Sequence, residues 1–418
     1  MSPRSSSDSP RSTRRQFLSG TAGTTLAALS TVGTAGCLGD DSPATDDFPE
    51  GVQFDTDWPT YAHDDANTAF LREGEAVSDP IVEYEADFGM PLAEPAAIGA
   101  QAYTTNDPLQ IVDVAGGEVV AETLGDSWVT PAVLDGSLYT PTQTVQRPTE
   151  MLVYDADSGS EVRSIELPDS PTTAPAFSNQ RRTMFVGLTD ERICAVDLDS
   201  GEVRWTRDLF GAVRNPLAVN LGLVFVVTEG QRLYCLGTDG SGYWQVSLKT
   251  ANPVAPVVGD ERVYVAGWDR IAALEKRNGS AVWEDDRGVH ERLAFDGERL
   301  YCSKGDLRAL DTATGEEQWS YSPANSAPTV AGDTVYVGTD EGELVALNRG
   351  GTAPLEGRER WAVPLGDYVG HSLAATDKRV FCPVTREDGL MSLTVVADES
   401  IAGPNVSGTT AAAGGGDA

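Results

Sequence analysis

The chain has 418 residues, with 64 Asp plus Glu against 30 Lys plus Arg and a formal net charge of −34. That balance excludes nucleic-acid binding through a phosphate-neutralising face. The 40% apolar content excludes an acidic disordered chain, and the length allows one large domain or two to three ordinary ones. Within each sign the split is uneven, with 26 Arg against 4 Lys and 37 Asp against 27 Glu. A solvated surface so rich in Asp and so poor in Lys repels itself in dilute buffer and is relieved by screening ions.

Residues 1–36 form a separate composition class, in which Arg4, Arg11, Arg14 and Arg15 face only Asp8; this stretch carries +3, so the remainder carries −37. Thr13-Arg14-Arg15-Gln16-Phe17-Leu18 resembles the twin-arginine export signal, and the weakly apolar residues 21–33 follow where its hydrophobic region belongs. They are too few and too polar to span a bilayer. Thr34-Ala35-Gly36-Cys37 resembles a lipobox, in which Cys37 receives the lipid and becomes the new N-terminus, although Thr34 stands where leucine is usual. Export by this route implies folding before translocation. Residues 37–55, rich in Asp, Ser and Pro, read as an acidic flexible tether. Together with the acidic surface, which resembles that of proteins from hypersaline environments, the leader resembles that of a haloarchaeal-type secreted lipoprotein. It places the chain at the outer face of the cytoplasmic membrane, lipid-anchored and extracellular.

From residue 94 onward the chain repeats itself. A strand pattern centred on an aromatic residue recurs at Tyr103, Tyr139, Phe185, Phe225, Tyr264, Tyr301, Tyr336 and Phe381, at intervals of 35 to 46 residues. A proline opens the preceding strand in most units (Pro95, Pro131, Pro175, Pro216, Pro256 and Pro328), where no ladder donor is needed. A third strand then ends in an acid, a turn follows with glycine, and a fourth strand bears tryptophan. Ala195-Val-Asp197 to Gly201 and Trp205, and Ala309-Leu-Asp311 to Gly315 and Trp319, are the clearest copies. In this pattern Asp bonds turn amides, Gly takes positive φ, and Trp lays a large plate between units. Four strands in about forty residues predicts an all-β, eight-bladed β-propeller of four-stranded antiparallel blades over residues 56–398. The eighth unit has only three strands of its own, so Pro80 to Ala86 is predicted to close it from the N-terminal side. Residues 399–418 read as a disordered Gly- and Ala-rich tail.

The A-x-D-x-x-[ST]-G-x-x-x-W motif resembles that of the pyrroloquinoline-quinone-like (PQQ-like) β-propeller repeat family. Looser copies run from Ala273 to Trp283 and from Asp155 to Gly159 with Arg163 in the tryptophan position. Others lie at Asp113 to Gly117, at Trp244 with its spacing shifted by one, and at Asn348 to Trp361 with an insertion. Asp57-Trp58-Pro59-Thr60-Tyr61-Ala62-His63 is similar to the lead-in segment of that family. The resemblance implies two functions. Quinoprotein dehydrogenases of this fold hold PQQ on the axis with calcium, carboxylate and amide ligands and a vicinal disulfide. BamB-type lipoproteins share the lipid-anchored, eight-bladed architecture without quinone. This chain has no adjacent cysteines, and none of its residues matches the catalytic aspartate or calcium-ligand roles by motif.

Chemistry-bearing motifs are scarce. Cys194, Cys235, Cys302 and Cys382 lie inside apolar strand patterns and read as small core residues. Asp155-Ala-Asp157 and Asp197-Leu-Asp199 read as hairpin turns rather than a calcium loop. The three histidines, His63, His290 and His371, accompany no nucleophile elbow, HExxH, P-loop or dinucleotide pattern. The sequence therefore favours a monomeric, non-enzymatic binding or assembly scaffold, with a PQQ-dependent oxidoreductase as the rival. Residues just upstream of the innermost strands should ring one mouth of the channel: Trp128, Thr172, Arg214, Asn252, His290, Arg292, Asn325 and His371. With positive charge so rare elsewhere, they suggest recognition of a cell-envelope protein or an anionic or carbohydrate ligand. Asn278 and Asn405 match the glycosylation acceptor pattern.

Overall fold

The computed structural model describes residues 56–88, 93–104, 108–122, 129–142, 147–350 and 357–401. Arg14, Arg15, Cys37, Trp128 and Asn405 lie outside them. The described residues contain no α-helix, and hence no helix long and apolar enough to cross a membrane. Strands form eight sheets, built from residues 96–122, 132–166, 176–208, 218–247, 257–285, 294–324, 329–364 and 374–398. Each is an up-and-down antiparallel run, and the innermost strands touch from the third sheet to the fifth, from the sixth to the eighth, and between the eighth and the first. This is the eight-bladed propeller.

Two N-terminal strands modify the regular plan. Pro80–Asp87 pairs antiparallel with Met391–Asp398 and is the outermost strand of the eighth blade. It carries the β-bulge that the outer strand of every other blade carries, and Tyr84, opposite Val395, takes the tryptophan position. The second strand is a departure from four strands per blade: Phe70–Leu71 pairs parallel with Thr329–Ala331, so the seventh sheet has five strands.

The tryptophans explain how blades hold to one another. Each lies opposite the small residue of the motif, as in Ala195↔Trp205, Ala273↔Trp283 and Ala309↔Trp319. Trp244 lies opposite Cys235 in the same place, so its shift in sequence is a turn one residue shorter. The indole then reaches the next blade. Nε1 of Trp205, Trp244 and Trp283 donates to the carbonyls of Thr238, Lys276 and Thr312, each at 3.0 Å. Arg163, in the tryptophan position of the second blade, reaches the carbonyl of Leu198 in the same way. The turn glycine of that next blade is what admits the ring: a Cβ on Gly279 or Gly315 would come within 2.7 Å of Trp244 or Trp283.

The turn carboxylates are occupied by backbone. Asp197 Oδ1 accepts the N–H groups of Asp199 and Ser200 at 2.9 and 2.8 Å, and Asp311 Oδ1 those of Ala313 and Thr314, both at 2.9 Å. These bonds hold the Asp197 carboxyl well below the usual range. The four cysteines are buried and free, and burial pushes the thiols of Cys194, Cys235 and Cys302 up to about 12, which makes them inert packing groups.

Candidate functional site at the channel

With the strands running up and down, the loops that lead into each innermost strand share one face with the turns between second and third strands. We call it the upper face. The remaining turns form the lower face. Residues 56–71 thread the ring between the two. The Thr56 carbonyl accepts the N–H of Asp377, and Asp57 Oδ1 that of Gly99. Trp58 and Ala97 exchange both backbone bonds at 2.7 Å. The Pro59, Asp65, Ala66, Thr68 and Ala69 carbonyls then accept the N–H groups of Val133, Val219, Val258, Phe295 and Val330, while Asp65 Oδ1 takes that of Phe177. Every blade is thus bonded to this one segment.

The segment follows a tight path. Ala62, His63, Asn67 and Ala69 all have positive φ, a conformation that side-chain-bearing residues adopt at some cost. The bonds to the ring, and Asp64 bonding Ala66 N–H at 3.0 Å and Thr68 N–H at 2.9 Å, hold it there. Burial drives the Asp65 carboxyl up to about 7, despite the Phe177 bond.

At its centre is an ion pair that has no counterpart in the repeat. Arg292 Nε lies 2.8 Å from Glu94 Oε2, and both side chains are 1% exposed. The other guanidinium donors reach the carbonyls of Pro328 and Leu373 and the hydroxyl of Thr329. Glu94 Oε1 accepts Trp58 Nε1 at 2.6 Å and the Ala62 N–H at 2.7 Å, and Arg292 stacks over the Trp58 ring. A charge pair this dry is tolerated because each guanidinium nitrogen and each carboxylate oxygen has a partner.

Arg292 was expected on the mouth surface, and it instead points inward with all three guanidinium nitrogens hydrogen-bonded. The rest of the expected ring is on the upper face, in part. His290 is exposed and packs edge-on against Trp268, itself 52% exposed. Asn252 is exposed. Arg214 is exposed and pairs with Glu229 at 2.8 Å. Asn325 instead bonds Asp340 and the Gly305 N–H, Thr172 bonds the Val213 carbonyl, and His371 is half-buried. Trp268 lies outside the repeated motif, and its place in a turn between second and third strands is what brings it to this face. Asn278 is exposed in a lower-face turn, its Oδ1 accepting the Ser280 N–H.

Five overlapping stretches, residues 105–209, 149–246, 189–322, 231–367 and 303–399, match the PQQ_2 family model, described as outer membrane protein assembly factor BamB. The chain belongs to this family. It is 39% identical over 101 residues to an outer membrane protein assembly factor BamB of Kangiella koreensis, covering 22% of this chain and 26% of that protein. The chain therefore spans about a quarter of that relative. Against the protein of the same name from Shewanella oneidensis it is 23% identical over 370 residues, 74% of this chain and 89% of that one. Among solved structures, BamB from Moraxella catarrhalis superposes with a TM-score of 0.57 at 17% identity, over 77% of this chain and 99% of that one. Quinohemoprotein alcohol dehydrogenase from Comamonas testosteroni gives 0.64 at 13% identity, over 82% and 80%. Both likenesses are of fold.

The axis of this BamB-family chain does not fit a quinone. Residues 56–71 occupy the space between the innermost strands, and the buried Arg292 is neutralised by Glu94. PQQ carries three carboxylates, and the side chains open at the upper mouth include Glu291 and Asp340. Among the described residues no three His, Cys, Asp or Glu side chains come together as metal ligands for a bridging calcium.

Proposed function

We propose that this chain is a lipid-anchored, non-enzymatic docking platform of the cell envelope, exported in the folded state. The observation that carries this reading is the filled channel: where related folds hold a cofactor, this chain holds its own residues 56–71 in bonds to all eight blades. Binding then falls to the outer surfaces. The relatives are named as factors of outer membrane protein assembly, and we extend to this chain their scaffold role and envelope partners. The barrel-assembly step is not extended, because the Lys-poor acidic composition and the twin-arginine leader support a cell of hypersaline habitat in which Cys37 anchors the protein to the cytoplasmic membrane. Arg214, Asn252 and His290, joined by Trp268, supply the rim on which an envelope partner docks; Trp128 belongs to the same set by its place in the repeat.

Photo-crosslinking residues placed at Arg214 or His290 should yield a discrete envelope adduct, whereas one at Leu221, 74% exposed on the lower face, should not. Equal yields from both faces would refute the rim. The rival is tested by melting the protein in molar salt with PQQ and calcium: a ligand at a hundredfold excess over its Kd would add about 2.7 kcal/mol. A shift of that size would overturn the scaffold reading.

A further inference from the structure

Across the upper face of the fourth, fifth and sixth blades, hydrogen bonds tie one sector together. Phe210 lies in the loop before the fourth blade's innermost strand, and Trp268 in the fifth blade's turn between second and third strands. Asn215 Nδ2 donates to the Pro253 carbonyl at 2.8 Å, which joins the Phe210 loop to the loop before the fifth blade. That second loop receives the Trp268 N–H on its Ala251 carbonyl at 2.9 Å, while Asp269 Oδ1 accepts the Thr250 hydroxyl at 2.6 Å and the Ala251 N–H at 3.1 Å. On the far side the Val289 N–H reaches the Gly267 carbonyl at 2.8 Å, Lys304 Nζ donates to the Trp268 carbonyl, and His290 meets the indole edge-on. Phe210 is held in the same manner. Its N–H donates to the Tyr234 hydroxyl at 3.0 Å, its carbonyl accepts the Thr228 hydroxyl at 2.8 Å, and a Cβ on Gly230 would come within 2.7 Å of its ring. Both residues are thus fixed at the backbone, yet their side chains project into solvent, Phe210 being 63% and Trp268 52% exposed.

What surrounds the two rings selects the partner. Three cations of the sector are engaged within the protein: Arg214 pairs with Glu229 and Arg270 with Glu284, each at 2.8 Å, and Arg232 stacks over the Phe210 ring at 5.4 Å. Residues 209–217 and 248–256 contain no Asp or Glu, so on a domain of −37 an apolar surface can approach here without stripping water from carboxylates. The corresponding upper turns of the third, fourth and seventh blades carry Asp190 and Glu191, Glu229, and Asp340 and Glu341, so an aromatic residue at this place is particular to the fifth. In molar salt the Debye length falls to about 3 Å, and ion pairs across an exposed rim then add little. Burial of rigid aromatic area is left to supply affinity, and ordering such a residue loses little entropy. We propose that Phe210 and Trp268 are paired anchors that insert into apolar pockets of an envelope protein. The anchors presuppose the docking role and give its partner a chemistry: projecting rings need a surface with apolar hollows, and recognition runs through burial instead of charge.

A photo-reactive residue at Asn252, exposed between Ala251 and Pro253, reads the contact in full-length protein on native membranes. A protease-sensitive adduct is expected in molar potassium chloride, with a yield that holds or rises as salt is raised further. Trp268→Ala and Phe210→Ala should each lower that yield at least about tenfold without moving the melting temperature, and Trp268→Phe should restore part of it. Lys249→Gln, which removes an exposed charge from the same loop, should leave the yield unchanged. A yield that persists in Trp268→Ala, or that Lys249→Gln abolishes, would overturn the anchors and leave the docking role standing. A protease-resistant adduct would point to a polysaccharide and would overturn them as well. Absence of any adduct from Asn252 would remove the docking role and its anchors together.

Discussion

Among the described residues Arg292 and Glu94 form an ion pair only with each other, so removal of either leaves a full charge buried without its partner. Arg292→Met should destabilise the protein by about 3–5 kcal/mol, and the double replacement with Glu94→Gln, whose uncharged amide oxygen still accepts from Trp58 Nε1 and the Ala62 N–H, should recover part of that loss. Urea melts at fixed molar salt would show it; single and double variants of equal stability would contradict the pairing. Asp398 offers a second test. Burial works against its charge, yet the N–H groups of Ser78, Asp79 and Ser400 and the Ser400 hydroxyl bring its carboxyl down to about 2. The folded pKa is depressed, so its contribution is present above the ordinary value of 3.8 and fades as pH falls toward 2. Asp398→Asn should therefore melt below the native chain at pH 5, with the gap closing as the solution is acidified; a gap independent of pH would rule the linkage out. At this scale sequence and structure part company. Arg292 holds a mouth position in the repeat, and only its partner turns it inward, but Glu94 is a single acid in no pattern.

The strand elements were far more legible. Asp197, Gly201 and Trp205 recur because one hairpin and one blade-to-blade contact recur, and a chain that repeats a physical task repeats the residues that perform it. The closing strand could be recognised for the same reason, since Ile81, Val82 and Tyr84 match an outer strand even though they lie about three hundred residues from Val395 and Val396 in sequence. The threading segment performs its task once, and so left no period to detect. The turn glycines allow the contact itself to be measured. Gly117 and Gly315 share nearly the same φ, +72° and +75°, but only Gly315 faces a tryptophan, 2.7 Å from where a Cβ would sit; at Gly117 that space is open. Gly117→Ala should cost about 1–2 kcal/mol for its backbone conformation, and Gly315→Ala about 1–3 kcal/mol more for the overpacked ring. Equal losses in chemical denaturation would mean that Trp283 does not seat on the turn.

For the whole molecule, charge sets the conditions under which the ring survives. With −37 on the residues after the leader, potassium chloride raised from dilute to molar should lift the melting temperature steadily, and a flat or falling trend would argue against a hypersaline setting. Deleting residues 1–55 should leave the cooperative melt intact, whereas deletion through Leu71 removes bonds to every blade and should lower the transition sharply. Similar melts for the two truncations would show that the segment only fills space. The pairing of Pro80–Asp87 with Met391–Asp398 also sets an order in time. A ribosome makes the first of these strands early and its partner almost last, so the ring stays open throughout synthesis, with one unpaired edge waiting at each end. Non-local closure of this kind is slow and exposes sticky edges while it waits. Moving residues 80–87 to follow Asp398 by circular permutation would turn that final encounter into a local hairpin and should speed refolding. A membrane gate that accepts only finished proteins would give the natural order the time it needs.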